Sequence, residues 1–233
     1  MVFVSVPLGA MRSVFEAMRP GLATDAVITD GGSAKASVIA DFAAACPQAM
    51  SRFVPGHPIA GTERSGVAAS LEGLFRDRRV ILTPLPETDA GALARVRALW
   101  EAAGAEVVTM PVERHDQVLA ATSHLPHLLA YAVVDSLAGM TEHDDIFRFA
   151  AGGFRDFSRI ASSDPVMWRD ICLANRDALL DVVERFQADF AEFVAAIRAA
   201  DGDRLHELFR RARQAREDYL HQFASTPPED EPS

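Results

Sequence analysis

The feature that most constrains the fold is an alternation of short apolar runs and helical periods, which stops near residue 110. Before that point the apolar runs are rich in β-branched residues and bounded by Pro or Gly, which is typical of buried strands. The predicted strands are residues 2–6, 26–29, 80–82 and 106–110, and the predicted helices are residues 11–18, 34–45 and 90–103. Such an alternation predicts a parallel, doubly wound α/β sheet.

Strand signals cease after Glu113, and long helical periods replace them. These periods cover residues 117–140, with an interruption near Pro126, then residues 165–200 and 204–223. Long apolar helices in a small α-helical part predict burial against a larger partner, and a homodimer is the expected one.

The sequence therefore predicts two domains and a tail. The sheet domain is expected at residues 1–110 and the all-helical domain at residues 111–224. The Pro- and acid-rich residues 225–233 are expected to be disordered.

The charge of the chain limits the partners that it can bind. Its formal net charge is -10 and its pI is about 5.1, whereas a nucleic acid or an anionic membrane favours a basic surface. No apolar run approaches the roughly 20 residues of a membrane helix. The two cysteines, Cys46 and Cys172, lack the close spacing of a zinc site or a disulfide framework. The composition thus predicts a cytoplasmic protein with neither of those partners and without a bound metal.

His57 is the strongest candidate for chemistry, because it lies in a loop between Gly56 and Gly61. An imidazole is the natural proton acceptor near neutral pH, and glycines let a ligand approach the backbone closely. The alternatives are a surface histidine and a buried ring fixed by one backbone hydrogen bond. Glu63, just after the loop, is by itself more typical of a solvated charge.

A second Gly-rich turn, Asp30-Gly31-Gly32-Ser33, follows a predicted strand. Ser33 is expected either to cap the next helix or to bond an imidazole or a ligand at that helix N-terminus, and the two roles are compatible. Val6 and Pro7 end the first strand in the same way. Since ligands bind at the carboxyl ends of strands in such sheets, these segments and the His57 loop are predicted to meet at one edge.

Two segments of the helical part carry further candidates. Ser123-His124-Leu125-Pro126-His127 places a proline within an apolar helix, where a kink that exposes both histidines would compensate for the lost backbone hydrogen bond. A metal site there is disfavoured, because more ligands at suitable spacing would be needed. His115-Asp116 either adds to a site or is a helix-start pair.

The other segment is Gly152-Gly153, which precedes Arg155, Asp156 and Arg159. On a helix the two arginines share one face, which suits bidentate recognition of a carboxylate. The alternative is a set of surface salt bridges to Asp156 and Asp164.

Together these segments resemble the prephenate/arogenate dehydrogenase family of tyrosine biosynthesis, over residues 2 to about 216. The motifs that carry the resemblance are Val-Ser-Val-Pro at 4–7, Asp-Gly-Gly-Ser-Ala-Lys at 30–35, Gly-His-Pro-Ile-Ala-Gly-Thr-Glu at 56–63, His-Asp at 115–116, Ser-His-Leu-Pro-His at 123–127 and Gly-Gly-Phe-Arg-Asp-Phe-Ser-Arg-Ile-Ala at 152–161. Six segments in order are a far stronger signal than any one of them.

The resemblance implies an incomplete Rossmann-like doubly wound sheet, an all-α dimerisation and substrate domain, and NAD or NADP as cofactor. It implies that His57 accepts the ring-hydroxyl proton of prephenate, that hydride leaves the same carbon, and that loss of carbon dioxide makes the ring aromatic. Ser33 would hydrogen-bond His57, and Arg159 would hold a substrate carboxylate. The other implied substrate-side residues are Glu63, His124, His127, Gly152 and Asp156, and the implied cofactor-side residues are Val6, Pro7, Asp30 and Ser33.

The sequence departs from the family at its start, because it contains no G-x-G-x-x-G turn for the dinucleotide pyrophosphate. The resemblance begins at a later strand, as if about 60–70 residues, or two β-α units, preceded it. A mis-assigned start is the favoured explanation, and a fragment with weak NAD affinity is the other.

Prephenate is the expected substrate, and arogenate is the alternative. A truncated homologue that only dimerises and binds substrate-like acids also remains open. Another oxidoreductase of the 6-phosphogluconate dehydrogenase type is disfavoured by the motifs at 123–127 and 152–159.

Overall fold

The computed structural model describes residues 1–61, 70–141 and 143–223 of the chain. Its internal contacts divide the chain into two compact units, Met1–Val182 and Val183–Ser233. The helices directly after residue 110 therefore share a unit with the sheets, and the domain boundary expected there stays a prediction. Glu63 and the tail at 225–233 lie outside the described residues.

A parallel three-stranded sheet in the order β1-β2-β3 begins the larger unit. Its strands are β1 (Val2–Val4), β2 (Ile28–Asp30) and β3 (Phe53–Val54), and its connecting helices are α1 (Met11–Met18) and α2 (Lys35–Ala45). Phe15, Phe42 and Phe53 are fully buried at the centre of its core, where the rings of Phe42 and Phe53 stack with centroids 4.0 Å apart. The predicted order β1-α1-β2-α2 is confirmed here, although β1 is shorter than predicted and β3 was not among the predicted strands.

A second sheet, in the order β4-β5-β6, follows directly. Its strands are β4 (Gly56–Pro58), β5 (Arg79–Leu82) and β6 (Glu106–Thr109). β5 and β6 are parallel, but β4 runs antiparallel to β5 and places His57 opposite Ile81. The fold departs here from the expected parallel arrangement. A parallel neighbour requires a crossover that is usually helical, and the described parts of this connection, residues 59–61 and 70–78, form turns without a helix.

The helix between β5 and β6, α3 (Ala90–Ala102), has the ends that its sequence predicts. The Asp89 side chain accepts a hydrogen bond from the Ala92 amide, 2.8 Å away, at the N-terminus. Gly104 follows the C-terminus with a φ of +87°, which L-residues rarely adopt. Val96 and Trp100 of this helix pack on the buried side chains of β5.

Seven helices in the described residues follow β6. They are α4 (Val112–Leu119), α5 (Leu125–Ala138), α6 (His143–Arg148), α7 (Gly152–Ser158), α8 (Pro165–Ala174), α9 (Arg176–Arg198) and α10 (Gly202–Phe223). Within these residues no helix is long and apolar enough to cross a membrane.

Two of the predicted long helices are interrupted. A π-helical turn, Ala120–His124, separates α4 from α5, and the Leu125 amide bonds to the Ala120 carbonyl. Pro126 lacks an N–H, and in a regular α-helix its ring would clash with the carbonyl four residues earlier. The widened turn avoids that clash. The helix predicted at 165–200 breaks at Asn175, whose φ and ψ are -111° and 34°.

The smaller unit contains most of α9 together with α10. An ion pair between Glu192 and Arg204, at 2.8 Å, and a ring contact between Phe193 and Phe209 join the two helices. Phe190 and Ile197 of α9 and Phe209 of α10 are each more than half exposed. This unit thus presents apolar side chains to its surroundings.

A buried ion pair ties the two sheets together at the edge where β2 ends. Lys35, the single lysine of the chain, has no exposed surface, and its ammonium donates to Asp30 and to the Gly56 carbonyl. Asp30 also accepts from the backbone amides of Gly32 and Gly56. Burial lowers the pKa of Lys35, and the charge of Asp30 opposes that effect. The pair therefore fixes the start of β4, and with it His57, against the start of α2.

Replacing Lys35 with Met is expected to destabilise the fold by about 3–5 kcal/mol, because it leaves the Asp30 charge buried without its partner. The free energy of unfolding from urea titrations measures this change. The double variant Lys35→Met/Asp30→Asn should recover part of the loss, since it removes the buried charge and its amide oxygen can still accept from one of the two amides, Gly32 or Gly56. Arg12→Ala, which removes an exposed ion pair with Glu16, is the control and should have little effect. A Lys35→Met loss as small as that of the control would refute the role given to the pair.

Candidate active site

His57 lies at the centre of a buried polar cluster in the larger unit. It is only 8% exposed, and its Nδ1 atom lies 2.9 Å from Nε2 of His115 on α4. Burial lowers the pKa of His57 well below its usual value, and the charge of Lys35 lowers it further, as protonation of His115 or His124 would. The ring is therefore neutral near pH 7 and has a lone pair with which it can take up a proton.

Asp116 connects this cluster to α2. Its Oδ1 atom lies 2.8 Å from His115 Nδ1, and its two oxygens accept hydrogen bonds from the backbone amides of Lys35 and Ala36. Burial raises the pKa of this carboxyl, but the hydrogen bonds from His115, Lys35 and Ala36 outweigh burial and lower it. Asp116 is thus an ionised cap on the N-terminus of α2, supplied by another helix.

The expected N-cap role of Ser33 is wrong. The residue before α2 is Ala34, no side chain of its own segment caps the helix, and Asp116 satisfies the amides instead. Ser33 is half-buried. Among the described residues, His57 makes its ring hydrogen bond through Nδ1, and the partner is His115. The expected contact of Ser33 with His57 stays a prediction.

The π-helical turn positions the two histidines of the 123–127 segment differently. His124 is buried, and its Nδ1 accepts a hydrogen bond from the side-chain amide of Asn175 at 3.1 Å. Burial lowers the pKa of His124 to about 4. His127 is half-buried, and its Nδ1 donates to the Ser123 carbonyl at 2.9 Å. Burial lowers the pKa of His127 as well. The expected exposure of both rings is therefore wrong for His124.

Trp168 and Asn175 are site residues that sequence reasoning missed. The Trp168 ring stacks on His127 with centroids 3.7 Å apart, and its indole nitrogen is buried and has no hydrogen-bond partner in the described part of the chain. Asn175 bonds both His124 and the Asp116 backbone carbonyl. Asp164-Pro165 is a typical helix start and indicates where α8 begins, but no pattern in the neighbouring sequence indicates which way Trp168 faces.

The expected cofactor-side residues lie at one edge of the first sheet. Val4 and Asp30 are partners in the β1–β2 ladder, so Val6 and Pro7, which follow β1, leave the sheet at the edge where Asp30 lies. Val6 is half-buried and Pro7 is exposed. Asp30 has no exposed surface, and its oxygens bond Lys35, Gly32 and Gly56. A ligand could reach the Asp30 side chain only if that network moved, so its cofactor role stays a prediction.

The expected carboxylate-binding segment lies elsewhere in the helical part. Gly152 and Asp156 are exposed in α7, and Arg159, also exposed, begins the short 3-10 turn that follows. α7 and this turn pack against α5, the helix that carries His127. The substrate roles of Gly152, Asp156, Arg159 and Glu63 stay predictions. Among the described residues no group of three or more His, Cys, Asp or Glu side chains is placed to hold a metal ion.

Two family models match the chain. The nucleotide-binding domain of prephenate dehydrogenase matches residues 1–110, and the dimerization domain of prephenate dehydrogenase matches residues 111–211. The first model covers the strands and helices that lead to His57, and the second begins just before α4.

Individual relatives match most of the chain. A cyclohexadienyl dehydrogenase of Zymomonas mobilis is 43% identical over 218 residues, which are 93% of this chain and 74% of that protein. A prephenate dehydrogenase of Bacillus subtilis is 37% identical over 222 residues, which are 93% of this chain and 58% of that protein. The crystal structure of Aquifex aeolicus prephenate dehydrogenase in complex with hydroxyphenyl propionate and NAD+ has a TM-score of 0.83 at 39% identity, and covers 92% of this chain and 75% of that one.

The low pKa of His124 predicts a loss of stability in acid. The unfolded chain binds a proton near pH 6.5, whereas the folded chain binds it only near pH 4. The stabilising effect is therefore present above pH 6.5 and is lost as the pH falls towards 4. Between about pH 7 and about pH 5 the loss amounts to about 2 kcal/mol. His124→Asn, which can still accept from Asn175, should remove that part of the pH dependence of the free energy of unfolding.

The control for this measurement is His206→Asn on α10, where the side chain is exposed. It should keep the pH dependence of the parent protein. Equal pH dependence of the His124→Asn variant and the parent would show that His124 does not titrate in this way.

Proposed function

Because the chain belongs to the prephenate dehydrogenase family, we propose that it catalyses the NAD(P)-dependent oxidative decarboxylation of prephenate to 4-hydroxyphenylpyruvate. The observation that carries this proposal is the buried, neutral His57, whose Nε2 has no hydrogen-bond partner among the described residues. A ring in that state is suited to take a proton from an alcohol as the alcohol is oxidised.

The role of His57 in the reaction is to accept one proton from the substrate. The O–H bond of the substrate ring breaks and its proton passes to His57, while the hydrogen on the same carbon leaves as hydride and a C=O bond forms. The bond to the ring carboxylate then breaks, and its electron pair makes the ring aromatic as carbon dioxide leaves. The ring oxygen takes back a proton and becomes the phenol hydroxyl, so the proton count balances.

The cofactor fits the edge of the first sheet in part. Val6 and Pro7 supply a partly exposed apolar surface at the carboxyl end of β1, which suits the face of a flat ring. The sequence contains no G-x-G-x-x-G turn for a pyrophosphate. When bound, NAD or NADP would accept the hydride, and its ring would have to lie near His57 for that transfer. Asp30 and Ser33 are the other residues that we assign to this side.

The substrate is a dianion, and its carboxylates require fixed donors. We assign Arg159 to one carboxylate, because a guanidinium can bind it through two hydrogen bonds. His127 is half-buried, and Nε2 is the nitrogen that its bond to Ser123 leaves available. His124, Glu63, Gly152 and Asp156 complete the residues that we assign to the substrate side.

Arogenate is a second candidate substrate. The cyclohexadienyl dehydrogenase of Zymomonas mobilis shares a higher identity with the chain, 43%, than the prephenate dehydrogenase of Bacillus subtilis, 37%. Arogenate carries an amino group where prephenate carries a keto group, and both share the ring alcohol on which His57 would act. Assays with both acids, each with NAD+ and NADP+, decide between them.

His57→Asn is expected to lower kcat by about 100-fold to 10,000-fold with little change in KM, because the variant loses the base but keeps a side chain that can bond to His115. Initial rates of NADH or NADPH formation by the protein expressed from its whole gene measure this. Arg159→Ala is the matched comparison, and should instead weaken substrate binding by about tenfold or more. A His57→Asn variant with the parent kcat would refute the base role. A parent protein that turns over neither acid would refute the proposed function.

We further propose that the chain forms a homodimer through α9 and α10. Phe190, Ile197 and Phe209 are exposed there, and the family model that matches residues 111–211 describes a dimerization domain. Sedimentation velocity should give the mass of a dimer, and the double variant Phe190→Glu/Ile197→Glu should shift it to that of a monomer. Leu71→Glu places one such charge on an exposed apolar residue of the larger unit and should leave the dimer intact. A monomeric parent protein would contradict this proposal.

A further inference from the structure

An unbroken line of hydrogen bonds begins at the N-terminus of α2 and ends on the imidazole of His57. The amides of Lys35 and Ala36 donate to Asp116 over 2.8 and 2.9 Å, and Asp116 Oδ1 lies 2.8 Å from His115 Nδ1. His115 Nε2 lies 2.9 Å from His57 Nδ1. His115 has no exposed surface, and Asp116 is 6% exposed. The chemistry proposed so far gives neither residue a part.

The protonation state of Asp116 determines which nitrogens of His115 and His57 carry protons. Both oxygens of Asp116 accept from backbone amides, so the side chain is a carboxylate, which can only accept. The proton between Asp116 and His115 is therefore on His115 Nδ1. In a neutral imidazole the other nitrogen is then an acceptor, so the proton between the two histidines is on His57 Nδ1. This leaves the lone pair of His57 on Nε2.

We propose that His115 and Asp116 are positioning residues, which hold His57 in the tautomer protonated at Nδ1 so that Nε2 is the atom that takes the substrate proton. The tautomer follows from the hydrogen bonds alone, whereas its use in catalysis rests on the proposed function. A histidine protonated at Nε2 in the same place would be a donor and could not act as the base.

The line also stabilises His57 once it has taken the proton. The cation still donates from Nδ1 to His115, and His115 is hydrogen-bonded to the negative charge of Asp116. The positive charge of Lys35 from α2 acts in the opposite direction, and His124 from the π-helical turn would add to it only once protonated, near pH 4. Removing the charge of Asp116 is therefore expected to lower the proton affinity of His57 and to move the acidic limb of the pH–rate profile to lower pH.

One other arrangement of protons fits the same distances. A His115 that carried protons on both nitrogens would donate to Asp116 and to His57 Nδ1. Neutral His57 would then carry its proton on Nε2. The two arrangements differ in the protonation of three ring nitrogens, His115 Nε2 and both nitrogens of His57, and nuclear magnetic resonance distinguishes them directly.

Long-range proton–nitrogen correlation spectra of the uniformly labelled protein near pH 7 test the tautomer without substrate. We expect a protonated Nδ1 and an unprotonated Nε2 for both His57 and His115, assigned by the signals that disappear in His57→Asn and His115→Asn. An Nε2-protonated His57 or a doubly protonated His115 would overturn the proposal. This test needs only the folded parent protein and the two assignment variants.

Asp116→Asn tests the positioning role. The variant removes the negative charge, and its single side-chain oxygen cannot replace both Oδ1, which serves Lys35 and His115, and Oδ2, which accepts from Ala36. The support that residue 116 gives to His115, and through it to protonated His57, is therefore weakened. We expect kcat to fall by about 100-fold to 10,000-fold, as when the acidic member of a Ser-His-Asp triad becomes an amide, with KM within about threefold of the parent. The spectra should show that His57 Nε2 takes up its proton at a lower pH than in the parent.

Glu113→Gln is the matched control, since it removes one negative charge from the same helix at an exposed position outside the line. It should retain the kcat, the pH profile and the spectra of the parent. A parent-like kcat in Asp116→Asn, or an equal loss in Glu113→Gln, would overturn the positioning role. If Asp116→Asn fails to fold, the spectra of the parent still decide the tautomer.

The two proposals fail in different ways. A parent protein without activity on prephenate or arogenate would refute the proposed function, while the spectra would still decide the state of His57. Normal turnover combined with an Nε2-protonated His57 would refute the inference alone.

Discussion

The carboxylate of Asp116 accepts hydrogen bonds from two backbone amides at the start of α2, and the arrangement of the site depends on this contact. A helix N-terminus has amides without intrahelical partners and attracts a negative charge. Asp116 meets both needs from α4, 80 residues further along the chain. The contact therefore holds α4 against the sheet edge where β2 and β4 meet. Asn175 bonds the Asp116 carbonyl as well, so the break between α8 and α9 converges on the same residue.

Charges inside the larger unit are paired in a way that keeps the imidazoles neutral. Lys35 is matched by Asp30, and Asp116 is matched by the helix amides and by His115. Neither anion forms a direct hydrogen bond to His57 among the described residues, and the nearby cation Lys35 makes protonation of that ring less favourable. Burial acts in the same direction. A general base gains from this balance, because it must enter the reaction without its proton.

Local patterns predicted much of this structure. The helices α1, α2 and α3, the strands β1, β2, β5 and β6, the end of α3 at Gly104 and the interruption near Pro126 follow from residues within a few positions of each other. The misses come from partners that are distant in the chain. Serine is a residue type that favours the N-cap, but Asp116 instead of Ser33 accepts from the first amides of α2. Asn175, where α8 ends, bonds to His124 and Asp116. The antiparallel direction of β4 likewise depends on which strand it meets.

The enclosure of Lys35 has a consequence for how the protein responds to chemical modification. Acylating labels and amine-directed crosslinkers react with accessible lysine side chains, and the single lysine of this sequence has no accessible surface. Such reagents therefore find no lysine side chain on the folded protein. A label that does appear on Lys35 reports that β4 has separated from the start of α2, so the residue is a built-in sensor of opening at the site.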